Sequence, residues 1–204
     1  MEAPYCLDLL RAQAPDLYLA ALYAPREHRP LFIAKAAWAA ELEHVCVAAK
    51  DPLLRAVRYA WWRERLEAGE TRGHPLLATL QNLSIAPDDL SPLLEAWDAW
   101  AAGEGLHNEI GKAMAGLLGR ALWPQAPAPW LAALAALYAA RQAIPQETPD
   151  LGPIRAGLAG TPRLARCVLA SGPYVAQRTR AQHADALSLQ LQIRIFWAVT
   201  TGRW

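Results

Sequence analysis

The run Ala56-Val57-Arg58-Tyr59-Ala60-Trp61-Trp62-Arg63-Glu64-Arg65-Leu66 sets two adjacent tryptophans between arginines. A guanidinium presents a planar fork of donors that matches phosphate oxygens, so Arg58 and Arg63 could hold a phosphate or diphosphate. Trp62 would wall such a site. Shortly after, Gly73-His74-Pro75 opens a Leu-rich run, where His74 reads as a helix-entry residue or, in the sharper reading, as a ligand-binding one. Upstream, His28 and Arg29 precede a helix start and read as a capping and docking feature, and the helix that follows carries Glu41 and Glu43. Arg29, Glu41, Arg58, Trp62, Arg63 and His74 are therefore the candidate ligand-binding residues. The competing reading is an amphipathic helix with solvated arginines and core tryptophans. Glu41 shares a seam with Trp38 and Val45 on a regular helix. Buried there it needs a partner, for which Arg58 is the natural candidate.

Other chemistries find little footing. His44 and His107 have no partner at zinc-ligand spacing. Glu41 and Glu43 point about 200° apart on a helix and cannot form one metal clamp. Asp88-Asp89 lies just before Ser91-Pro92 and reads as helix-start chemistry. Gly103-Glu104-Gly105 lacks the strand that a phosphate-binding glycine loop needs. Ser84, Ser91, Ser171 and Ser188 lack a nucleophile-elbow context. Cys6, Cys46 and Cys167 are far apart and odd in number, which fits a reducing compartment and argues against a disulfide framework.

Twenty Lys and Arg against 19 Asp and Glu leave a formal charge of +1, which gives no reason to expect nucleic acid as a partner. Arg155, Arg163, Arg166, Arg178 and Arg180 lean the C-terminal quarter basic. Residues 1–12 hold no signal-peptide core, and no apolar run approaches the ~18 residues of a membrane span. A cytoplasmic protein is expected, with peripheral contact to the inner membrane left open. Of the nine tryptophans most should be core, whereas Trp130 and Trp204 are the candidates for an exposed surface facing a partner or membrane.

Helices must carry these residues. The 204-residue chain is 54% hydrophobic, rich in Ala and Leu, and shows no period-two run long enough for a strand. One all-α domain over residues 1–204 is expected. The spacing predicts helices over 16–23, 30–46, 52–68, 74–81, 91–102, 109–122, 130–144, 161–169 and 183–199. Leu31, Ala34, Trp38, Leu42 and Val45 make the buried stripe of the second, and Leu54, Val57, Ala60, Trp61 and Leu66 the apolar side of the third. Asp51 should cap that third helix, with Pro52 at its first position. Residues 124–129 and 146–153, rich in proline, are expected connectors.

The Arg-Trp-Trp run, followed by Gly73-His74-Pro75-Leu76-Leu77-Ala78-Thr79-Leu80, resembles the squalene/phytoene synthase family. Within it the likeness is to a divergent branch that includes the mitochondrial complex I assembly factor and its bacterial relatives. Weaker similarities lie at 16–29, 104–119, 137–145 and 193–203, so the resemblance spans about residues 15–204. It implies an isoprenoid-synthase-like helical bundle with a central cavity. Enzymes of the family hold a diphosphate through Mg²⁺, which is bound by Asp-rich motifs on two facing helices. The corresponding places here are 39–48 and 137–148. They contain Glu41 and Glu43, then Arg141-Gln142 and Ile144-Pro145, and no Asp. The segment Gln146 to Gly160 is also brief for the family. The resemblance therefore implies a pseudoenzyme: a binding or complex I assembly protein with a protein partner, no catalytic residue and no cofactor. The alternative is a prenyltransferase-like protein that binds an isoprenoid diphosphate with Mg²⁺, through the arginines and Glu41 or Glu43.

Overall fold

Proline marks the helix starts. It lacks the N–H that a first turn leaves unpaired, and its fixed φ suits that position. Pro4, Pro15, Pro52, Pro75 and Pro87 each begin a helix, and Pro30 stands second in another. The computed structural model describes residues 4–143, 150–178 and 188–204. Its N-terminal helices are α1 (Pro4–Gln13), α2 (Pro15–Tyr23), α3 (Arg29–Ala48), α4 (Pro52–Glu67), α5 (Pro75–Asn82) and α6 (Pro87–Ala101). Then α7 (His107–Met114) passes through a π-helical turn at Ala115–Gly119 into α8 (Arg120–Leu122). The C-terminal set is α9 (Ala128–Ala143), α10 (Leu151–Gly157), a 3₁₀ helix at Arg163–Ala170, α11 (Ser171–Arg178) and α12 (Leu189–Thr201). No strand occurs among the described residues, so the all-α expectation holds. Among the described residues no helix is long and apolar enough to cross a membrane.

The hub is α3, which packs against α1, α2, α4, α5 and α6. Its alanines 34, 36, 37, 39 and 40 are buried and let those neighbours approach closely. Phe32 and Trp38 fill the gaps between them, and the Trp38 indole donates to the Leu90 carbonyl at 3.2 Å. On the far side α7 crosses α9 at very short range. A Cβ on Gly111 would lie 2.3 Å from the Ala135 carbonyl oxygen, so only glycine admits this crossing. The C-terminal helices close the bundle: α2 and α12 flank the 3₁₀ helix, while α10 and α11 lie on α9.

Several expectations need correction. Helix α4 buries Tyr59, Trp62 and Leu66, whereas Leu54 and Val57 are exposed. Both stripes are periodic, but the Tyr59 and Trp62 rings bury more area than aliphatic residues do. The Tyr59 hydroxyl also finds the Leu42 carbonyl at 3.0 Å. Helix α6 begins at Pro87, not at Ser91. The Ser91 hydroxyl bonds back to the Pro87 carbonyl at 3.0 Å, and Pro92 rides inside the helix. Asp88 and Asp89 thus occupy the first turn, where acidic side chains complement the helix dipole. Helices α1, α10 and α11 were not expected, and residues 163–170 are 3₁₀. The start of the last expected helix, from His183, and the connector at 146–149 lie outside the described residues. Asp51 caps α4 as expected, accepting the Leu53 N–H at 2.9 Å. All three cysteines are free.

Candidate functional site

Three of the six expected residues meet. His74 is the N-cap of α5, and its Nδ1 accepts the Leu76 N–H at 3.3 Å. In the neutral ring Nε2 must then carry the proton. It lies 3.1 Å from the Tyr5 hydroxyl and 3.9 Å from a Glu41 carboxylate oxygen. Trp62 meets the imidazole edge-on at 4.8 Å and Trp38 at 5.1 Å. Burial lowers the His74 pKa, and the Glu41 charge offsets only part of that. Burial first, then Glu41, pushes the Tyr5 hydroxyl up to about 12. Glu41, Trp62 and His74 thus form a packed aromatic cap between α3, α4 and α5.

The arginines do not join them. With Tyr59, Trp62 and Leu66 turned inward, Arg58 is exposed, and the ion pair expected between Glu41 and Arg58 is absent. Arg63 reaches instead to Asp98 of α6, at 2.7 Å. Arg29 folds back on its own chain, donating through Nε and Nη2 to the Ala24 carbonyl at 3.2 and 3.0 Å. The six residues therefore form no single pocket.

A buried ionic centre lies elsewhere. Arg141 of α9 grips Asp16 of α2 with two prongs, Nε to Oδ2 at 2.9 Å and Nη2 to Oδ1 at 3.2 Å. Its Nη1 donates to Glu43 of α3 at 2.6 Å. Ser171, at the start of α11, donates to the same Asp16 at 2.6 Å, and Gln142 supports Glu43 at 3.4 Å. Side-chain exposure is 3% for Arg141, 0% for Asp16 and 26% for Glu43. Burial by itself lowers the Arg141 pKa, but Asp16 and Glu43 more than offset that and hold it above its ordinary value. The Tyr138 hydroxyl is buried nearby and finds no hydrogen-bond partner among the described residues. Burial, then Asp16, raises its pKa. The sequence did carry a signal for this centre. Arg141 and Asp16 are the charges in two otherwise Ala- and Leu-rich helices, and a charge in such a place must find its opposite.

A surface cleft of about 810 Å³ separates α6 from α7 and is lined in part by Gly116 and Leu117 of the π turn. Lys35, 7% exposed, reaches it to pair with Asp89 at 3.0 Å. Asp88, Glu95 and Glu109 face it beside Lys112 and Arg120, so the signs are mixed and no single ion class is favoured. Among the described residues no group of three His, Cys, Asp or Glu could hold a metal.

The residues present do not suit the Mg²⁺ that the resemblance implies for the family's enzymes. Glu43 falls in the first expected place and Arg141 in the second, and the two are already an ion pair. The Arg141 guanidinium already engages the Glu43 and Asp16 carboxylates, and its own positive charge would repel a dication. Ile144 to Thr148, the rest of the second place, lie outside the described residues. Trp130 and Trp204 are not the exposed tryptophans. Trp130 is buried, with its indole on the Thr161 hydroxyl at 2.8 Å, and Trp204 packs over Gly172. Trp197 is exposed instead. Comparison of the chain with protein-family models, with curated proteins and with solved structures finds no match.

Proposed function

We propose that this chain is a non-catalytic protein of isoprenoid-synthase-like fold that acts by binding a protein partner in the assembly of respiratory complex I. The observation that carries the reading is the Arg141 guanidinium between Asp16 and Glu43. An enzyme that ionises a diphosphate needs acidic oxygens free for Mg²⁺. Here Asp16 and Glu43, which face α9, are already engaged by the Arg141 guanidinium. The family and the complex I role rest on the resemblance of residues 56–80. Further support comes from the interior, where Phe32, Trp38, Tyr59 and Tyr138 are fully buried. Val47 near the end of α3 and Leu53, Leu54 and Val57 of α4 are exposed apolar side chains, suited to an apolar protein surface. The prenyltransferase-like alternative requires Arg58, Arg63 and Glu41 to converge, and they lie apart. The protein would work in the cytoplasm, against the inner membrane.

Deletion from the native host tests the role. Assembled complex I should fall, and the wild-type chain should restore it. The Arg58→Ala/Arg63→Ala chain should restore it equally, because no diphosphate is handled. Normal complex I in the deletion strain overturns the proposal.

A further inference from the structure

Helix α12 is apolar on two sides. Leu191, Ile195 and Ala198 face the core, while Leu189, Ile193, Phe196 and Trp197 are 72, 57, 50 and 62% exposed. At 100° per residue those four fall within one stripe about 100° wide. Leu22 and Tyr23 at the end of α2 extend it, with the Tyr23 and Phe196 rings 6.2 Å apart. An apolar face of this breadth signals a covering surface.

Charge indicates what covers it. Residues 151–204 carry seven arginines and one acidic residue, Asp185, whereas residues 1–150 carry 13 basic and 18 acidic residues. The overall +1 therefore hides a strongly basic C-terminal part. Arg155 and Arg194 flank a pocket of about 390 Å³ against Ile193, Trp197 and Trp204. The Arg155 guanidinium lies 4.8 Å from the centre of the Trp204 ring. Apolar and aromatic residues beside arginines suit the boundary of an anionic bilayer, where rings enter the acyl region and guanidinium groups meet phosphates. A second copy of the chain is a poorer fit, since it would bring arginines against arginines.

We propose that the exposed face of α12, continued by Leu22 and Tyr23, docks on an anionic membrane surface, with Arg155 and Arg194 on lipid phosphates. This inference rests on the reading that the protein works against the inner membrane; flotation tests the docking surface, whereas deletion from the host tests the role. Flotation with phosphatidylcholine vesicles, with and without one third phosphatidylglycerol, tests it. The chain should float with the anionic vesicles, weakly with the neutral ones, and be released by high salt. Phe196→Ser/Trp197→Ser should weaken binding at least about tenfold, since two buried rings are lost. Arg155→Gln/Arg194→Gln should weaken it about fivefold per arginine. Thermal melting checks that these exposed variants fold. Failure to float with anionic vesicles overturns the proposal, as does undiminished binding by folded variants. A solution dimer dispersed by Trp197→Ser, or a protein partner displaced by it, overturns it also.

Discussion

Replacing Arg141 with methionine keeps an unbranched apolar stem and removes the charge. Asp16, whose side chain is fully buried, would retain only the Ser171 hydroxyl. Glu43 is a quarter exposed and can turn to water. Removing one partner of a buried ion pair costs about 3–5 kcal/mol, because the other charge stays buried without compensation. For a chain of this size each kcal/mol moves Tm by about 2–4 °C, so Arg141→Met should lower it by roughly 6–20 °C. The Asp16→Asn/Arg141→Met double variant removes both buried charges and should lose less than the sum of its two single variants. Glu43→Gln should cost no more than about 1 kcal/mol, since water screens a partly exposed pair. Urea and thermal melts followed by circular dichroism read all of these. A Tm for Arg141→Met within about 2 °C of wild type would refute the reasoning. So would additive losses in the double variant.

Gly111→Ala sets a methyl 2.3 Å from the Ala135 carbonyl and 2.9 Å from the Ala139 nitrogen. Overpacking of about 1–3 kcal/mol should outweigh the ~1 kcal/mol of helix propensity gained, and an unchanged or raised Tm would contradict this. His74 has a pKa in the folded chain below its ordinary 6.5, so the unfolded chain binds the proton more readily. Stability should therefore fall as pH drops through 6.5 and level off below the folded pKa. His74→Asn keeps a capping acceptor and should remove that part of the pH dependence, whereas an identical profile would count against it. Tyr138→Phe deletes a buried hydroxyl that has no partner among the described residues, and should be neutral or raise stability by about 1 kcal/mol. A clear loss of Tm would show that the hydroxyl is bonded.

Helix identity was legible where punctuation was strong. Asp51-Pro52, His74-Pro75 and Gly202 mark boundaries through caps and through glycine's left-handed φ, which is +76° at Gly202. Orientation was harder to read. Along α4 the expected side, Leu54–Val57–Ala60–Trp61–Leu66, and the buried one, Tyr59–Trp62–Leu66, share Leu66 and are both helical in period, and the Tyr59–Leu42 bond favours the second. That choice exposes Arg58, turns Arg63 to Asp98 and dissolves the expected cluster. The Asp16–Arg141–Ser171 centre joins residues more than a hundred positions apart, and local pattern cannot register such a pairing. Pro92 misled in the opposite way, because a proline in the second turn of α6 resembles a helix start.

Calorimetric titration with farnesyl and geranylgeranyl diphosphates, each with and without Mg²⁺, bears most directly on the guanidinium that sits between the facing helices. With Arg141 holding Asp16 and Glu43, neither diphosphate should give heat that depends on the metal. Mg²⁺-dependent binding that disappears in Glu43→Gln would mean the carboxylates are free for a cation after all, and that this is an enzyme's site.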